Sequence, residues 1–225
     1  MGFHRALVKR KYRLLFSSKR RGRPGPKGPA PELITAIVET STGTHDSDLF
    51  CCKSLILRTH WVMVVMDQFT RRIIGFAVRA GAVDGPATCR MFNHAIAGAL
   101  TLPRHLSSDH DPLFEFHRRK ANLRILEVTE VKNVPEVPLS HPFIERLIGT
   151  IRRELLDQIP FWSAGDLQRK LLLFRDYYNR DRIHASLGGV TPACNAGDVN
   201  RRVVSLSQYQ WQSHCRGLYQ LPEAA

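Results

Sequence analysis

The apolar positions of this chain fall into two rhythms. Between residues 48 and 78 they come in short bursts: Asp48 to Leu57, the unbroken run Trp61 to Met66, and Ile73 to Val78, with Gln68 to Arg72 as a polar turn. Short runs rich in Val and Ile predict strands, and the unbroken run predicts a strand covered on both faces. Short turns between them predict an antiparallel meander. At Asp84 and Pro86, both helix-start signals, the spacing lengthens to the helical period. That helix extends to about Leu100, with Met91, Ala95 and Ala99 on one stripe, and Pro103 ends it.

Further along, Arg104 to Ser107 reads as a very short strand, 112–121 as a helix and Ile125 to Val131 as a strand. Residues 132–140, with two prolines, read as a loop. Pro142 opens a helix to about Asp157, in which Ile144, Leu147, Ile148, Ile151 and Leu155 share one stripe that must face a core. Another helix covers 163–179, the pattern weakens after Gly188-Gly189, and 198–225 reads as a polar tail with some aromatics. The order predicts an α/β fold, a mixed sheet flanked by helices. The chain divides into an N-terminal arm (1–46), a core (47–192) and a C-terminal tail (193–225).

Composition narrows the function. Of 225 residues, 43% are hydrophobic and 24% charged, which excludes a disordered or collagen-like chain. Thirty-three Lys and Arg against 20 Asp and Glu give a net charge of +13, so the expected partner is a polyanion, most simply nucleic acid. No apolar run is long enough to cross a bilayer, and no secretory signal is visible. Five cysteines with no Cys-x-x-Cys read as reduced thiols of a cytoplasmic protein, and no zinc-ligand spacing is present. Residues 1–30 hold ten Lys or Arg and no acid. Within them Arg21 and Arg23 flank Gly22 ahead of Pro24, a pattern that fits a narrow minor groove and equally a solvated basic linker.

Candidate chemistry comes from carboxylates. Opposite the apolar stripe of the helix 142–157 lie Glu145, Gly149 and Arg152, with Arg153 beside them. Gly149 would admit a ligand backbone next to the carboxylate, and the arginines could grip phosphate. The plain alternative is a solvated helix in which Glu145 pairs with Arg152. Asp109 follows a short strand, where ligands gather in open α/β sheets, and Asp111 before Pro112 is the better helix cap. Asp48 opens the first strand, Asp46 competes with it, and Asp67 ends the second. The aromatics Tyr177, Tyr178 and Trp162 read as helix-packing residues rather than base-stacking platforms. Carboxylates from two strands and a helix could converge on Mg²⁺ or Mn²⁺ for phosphoryl transfer.

Five segments carry a resemblance: Asp-Leu-Phe at 48–50, HWVMVVMDQFTRRIIGFAV at 60–78, LSSDHDPLF at 106–114, HPFIERLIGTIRREL at 141–155 and YYNRDRIHASLGGVTP at 177–192. Residues 48–192 resemble the catalytic core of retroviral-integrase-type transposases of bacterial insertion sequences. The resemblance implies a ribonuclease-H-like fold and an acidic triad of the D, D-35-E type. Carried over, the triad is Asp48, Asp109 and Glu145, with 35 residues between the last two, holding Mg²⁺ or Mn²⁺. Asp67 matches a structural aspartate of the second strand. The resemblance implies cutting and joining of DNA at transposon ends and target, and a homo-oligomer. His45 stands where many relatives carry Trp, and His110-Asp111 where many carry Asn-Gly. Only 47 residues precede Asp48, which leads to the expectation of an internally shortened transposase. The competing expectation is a catalytically inactive DNA-binding remnant of one.

Overall fold

The structure is a computed structural model and describes residues 43–99, 102–108, 112–132, 142–197 and 209–224. Its centre is a five-stranded sheet in the order β3-β2-β1-β4-β5. The strands are β1 (Thr44–Lys53), β2 (Thr59–Asp67), β3 (Ile73–Ala80), β4 (His105–Ser108) and β5 (Thr129–Lys132). The first three form the expected antiparallel meander. β4 joins β1 in parallel and β5 joins β4 in parallel, so the sheet is mixed. The helices are α1 (Gly85–Ile96), α2 (His117–Ile125), α3 (Pro142–Ile151), α4 (Ala164–Arg180) and α5 (Pro192–Asn195). A single π-helical turn, Arg152–Leu156, prolongs α3.

Both sheet faces are covered. On one face Val62, Val64, Met66 and Phe76 pack against the α3 stripe Ile144, Leu147 and Ile151, and against Leu167, Leu171 and Phe174 of α4. On the other, Met63, Val65, Ala77 and Leu106 pack against Met91, Phe92 and Ala95 of α1 and Leu123 of α2. β2 is buried on both sides, as its unbroken apolar run predicts. The α1 contact depends on Gly75: a β-carbon there would collide with the Ala95 carbonyl oxygen. Asp84 caps α1, its carboxylate accepting from the Ala87 N–H at 2.8 Å.

The structure departs from the sequence expectation in three places. β1 begins at Thr44, so Asp48 lies inside the strand rather than opening it; buried Thr44, His45, Asp46 and Ser47 supply no apolar signal. The helix expected at 112–121 is α2 at His117–Ile125, and the strand expected at Ile125 begins at Thr129, because Glu127 takes a left-handed turn (φ 56) between them. Residues 209–224 of the weakly patterned tail form a hairpin, β6 (Tyr209–His214) and β7 (Tyr219–Ala224). Tyr219 stacks on Tyr177 of α4 at 4.4 Å and 3°, and Cys215 at the hairpin turn enters the core.

The segment 177–192 does structural work. Tyr177 and Tyr178 are buried, as expected, but Trp162 is 60% exposed: it sits in the loop before α4, whose cap is Ser163, and has no helix face to join. Asn179 spans 106 residues to β3. Its side-chain oxygen accepts from the Ile73 N–H and its amide donates to the Ile73 carbonyl, both at 2.9 Å. Arg182 grips Glu154 of the π turn with two hydrogen bonds of 2.7 and 2.8 Å.

Three substitutions test this packing. Gly75→Val should lower the unfolding free energy by about 1–3 kcal/mol through overpacking. Asn179→Ala should cost about 1–3 kcal/mol for each buried Ile73 group it leaves unpaired. Asn179→Asp should not restore the loss, since a carboxylate cannot donate to the Ile73 carbonyl. Urea unfolding measures all three.

Candidate active site

Strand parity decides what β1 shows to each face. Asp46 lies opposite Met66 and Asp48 opposite Val64, so both carboxylates point to the face covered by α3 and α4. Phe50 continues the same row. Asp46 is fully buried; Asp48 is half-buried, and its Oδ1 accepts from the Leu49 N–H at 2.6 Å. In β4, Ser107 lies opposite Asp46. β4 ends at Ser108, and Asp109 lies outside the described residues, as do Arg21 and Arg23.

Glu145 sits in the first turn of α3, exposed, next to buried Ile144 that anchors the helix to the same sheet face. No ion pair to Glu145 occurs among the described residues, so the pairing with Arg152 is absent there. Arg152 instead turns toward β1, its guanidinium carbon 5.7 Å from the Phe50 ring centre. The Arg153 guanidinium lies over Gly149, 3.2 Å from where a β-carbon would be. Glu145, Arg152 and Arg153 are all exposed.

Beneath this face lies a charge cluster that the sequence does not announce. Burial pushes the Asp46 carboxyl up to about 7; Arg71 pulls it back, and the charges of Asp48 and Asp67 add to the rise. Arg71 takes a left-handed backbone (φ 65) in the β2–β3 turn, and its guanidinium stacks on Phe143 of α3 at 3.1 Å. Burial holds the Arg71 guanidinium below its ordinary range, against the pull of Asp46. Asp67 closes that turn. Its carboxylate accepts from the Phe69 N–H at 2.9 Å and the Thr70 hydroxyl at 2.6 Å, the structural role expected of it. Asp46 was legible as a competitor of Asp48; Arg71 had no signal beyond its position two residues before a strand.

An all-oxygen donor set suits a hard divalent cation. Among the described residues, no group of three or more His, Cys, Asp or Glu is assembled to hold a metal ion.

Known proteins share this fold. Residues 128–192 match the family model of the integrase core domain. The fold is similar to a chain of the simian T-cell lymphotropic virus intasome in complex with PP2A regulatory subunit B56 gamma (TM-score 0.57, 18% identity, 81% of this chain and 69% of that one). It is also similar to the HTLV-2 integrase catalytic core domain in complex with magnesium, in its trimeric form (TM-score 0.50, 19% identity, 66% and 92%). This is an integrase-like core. Its sheet and flanking helices are the ribonuclease-H-like architecture of integrase catalytic cores. In sequence, the chain is 28% identical over 176 residues to the insertion element IS476 uncharacterized 39.2 kDa protein of Xanthomonas euvesicatoria. That alignment covers 78% of this chain and 49% of the relative, so the chain spans about half the length of the curated protein it matches. Among the described residues of this integrase-like chain, no helix is long and apolar enough to cross a membrane.

The Asp46 carboxyl gives the metal-free protein a pH signature. Its folded pKa is raised above the unfolded 3.8 to about 7, so the folded state binds more protons between these values. Its contribution is therefore full below about pH 4 and is lost as the pH rises through 7. Asp46→Asn should flatten that decline, and urea unfolding of both proteins from pH 4 to 8 should show their difference growing with pH.

Proposed function

We propose that the protein is a DNA transposase or integrase-type polynucleotidyl transferase, cutting and joining DNA strands with divalent metal. The observation that carries the reading is the position of Asp48. It is half-buried at mid-strand in the sheet's central strand, on the face covered by the helix that bears Glu145, and the neighbouring parallel strand ends one residue before Asp109. Asp48, Asp109 and Glu145 would together hold the metal. Mg²⁺ or Mn²⁺, when bound, supplies charge stabilisation at the phosphodiester and activates the attacking hydroxyl. The HTLV-2 integrase core, in complex with magnesium, supports this choice of ion.

The chain's own residues supply the rest. Glu145 stands exposed, where a phosphodiester can reach it. Arg152 and Arg153, exposed at the end of the same helix, hold backbone phosphate, the Arg153 guanidinium lying over Gly149. Arg21 and Arg23 of the basic arm enter a minor groove. Asp46, buried beside Asp48 with Arg71 acting on it, shapes the charge beneath this site. The DNA partners are transposon ends and target, and two ends held together require a homo-oligomer. The intasome assembly of the similar viral chain supports an oligomeric form. The protein works in the cytoplasm, on the nucleoid.

The test uses the full chain with Mg²⁺ or Mn²⁺ and DNA bearing the element's ends. Wild type should nick or join it, and Asp48→Asn or Glu145→Gln should lose about three orders of magnitude in rate, as preorganised charge-stabilising groups do. Metal-free DNA binding should persist in both. Full cutting by Glu145→Gln would remove it from the triad, and wild type that binds without cutting would leave the DNA-binding remnant as the function.

A further inference from the structure

Three consecutive large apolar residues, Leu55, Ile56 and Leu57, each stand more than half exposed at the β1–β2 turn. The turn is braced from within. The Ser54 N–H donates to the Arg58 carbonyl at 2.9 Å, the Leu57 N–H donates to the Ser54 carbonyl at 2.8 Å, and the buried Ser54 hydroxyl accepts from the Arg58 N–H at 3.2 Å. It is also braced from outside. The Leu55 N–H donates to the Phe161 carbonyl at 2.9 Å, and the Phe161 ring meets His60 edge-on at 5.3 Å. Exposed Trp162 follows Phe161 directly, so a fourth apolar side chain stands beside the tip.

A solvated turn is built differently. Leu57 takes a left-handed backbone (φ 59), where a turn ordinarily places Gly or Asn, and its side chain is the most exposed of the three. The charge at the tip is of one sign. Lys53 and Arg58, both exposed, stand on either side of it, and no Asp or Glu occurs from residue 49 to residue 66. Among the described residues neither cation forms an ion pair. In the bracing loop, 157–163, the only acid is Asp157, at the end away from Trp162. Asp166, beyond that loop, is buried and bonded to Lys170 at 2.8 Å, with Arg169 and Arg216 each 3.9 Å from it.

We infer that the β1–β2 turn is an apolar wedge for duplex DNA: Leu55, Ile56 and Leu57 enter the minor groove and part a base step, while Lys53 and Arg58 hold the phosphates on its two sides. The arms of a hairpin lie about 5 Å apart, so these two long side chains span a groove roughly 6 Å wide. Apolar wedges that unstack a step and kink the duplex need only a few side chains. A second copy of the chain needs more: the four apolar residues offer on the order of 500 Å², short of the roughly 800 Å² per partner that a stable interface buries. The tip and Asp48 belong to one strand, roughly 20 Å apart, which is about six base pairs of duplex. A kink made there favours DNA with easily unstacked pyrimidine–purine steps within one helical turn of the cut. The choice of DNA, and of this cut, rests on the proposed function.

The experiment uses the full chain in EDTA and a 30-bp duplex with a single central TA step. Energy transfer between end-attached dyes reads bending, and 2-aminopurine in place of the TA adenine reads unstacking. Wild type should shorten the end-to-end distance and raise the 2-aminopurine signal. The Leu55→Ser/Ile56→Ser/Leu57→Asn variant should lose both, with the signal rise at least about fivefold smaller, while its dependence of log affinity on log salt stays that of wild type. Lys53→Gln/Arg58→Gln should make that dependence shallower by about 2, at about 0.9 per phosphate contact. Bending and unstacking that are absent in wild type, or unchanged in the triple variant, overturn the inference. So does sedimentation showing a DNA-free wild-type dimer that the triple variant dissociates while bending is unchanged, which would make the tip an interface between copies. Thermal unfolding checks that the triple variant is folded; if it is not, Ile56→Ser alone and Lys53→Gln/Arg58→Gln decide. Wild type that kinks DNA but never cuts it in Mg²⁺ keeps the wedge and overturns the transferase, and wild type that cuts without kinking does the reverse.

Discussion

A buried carboxylate in the central strand is the constraint around which this core is organised. Asp46 has no access to solvent, and the side chains that pack on the sheet's two faces are mostly apolar. Charge placed there must be neutralised from nearby. Arg71 offsets part of that cost from the β2–β3 turn, in a left-handed backbone, with its guanidinium stacked on Phe143. The strand that carries the carboxylates, the turn that aims the arginine and the helix that bears Glu145 are thereby joined through one cluster. Asp67, by closing the turn, positions Arg71 rather than reaching the DNA.

Much of the fold was legible because apolar periodicity is a local signal. The α3 stripe, the two-sided burial of β2 and the order of strands and helices all follow from it. The beginning of β1 was hidden for a physical reason: its first four residues are polar yet buried, so no apolar run marks them. The C-terminal hairpin was hidden because it rests on the core through few side chains, such as Tyr219 and Cys215, while Trp211 and its glutamine neighbours face water. Asn179 belongs to the same class. Its partner is 106 residues away, and no window of sequence contains both.

The candidate site divides in the same way. The residue types and their spacing were readable, and β1 parity and the α3 anchor support the pairing of Asp48 with Glu145 on one face. What no spacing contains is the charge beneath them. The arginines that follow α3 were expected to share a face with Glu145; Arg153 does lie over Gly149 on that face, while Arg152 leans toward Phe50.

The π turn after α3 has a consequence for descent as well as for form. A π turn accommodates one residue more than the α-helix it interrupts. Here it swings Glu154 toward Arg182 while Leu155 stays in the core. A cousin of this chain with one residue fewer between 152 and 156 could keep every apolar anchor and still lose that clasp. Its loss would loosen the C-terminal hairpin, whose Tyr219 hydroxyl hangs from the Glu154 carbonyl. A single codon gained or lost in that turn would thus remove one tie of the last two strands, leaving the Tyr219–Tyr177 stack and Cys215 to hold them.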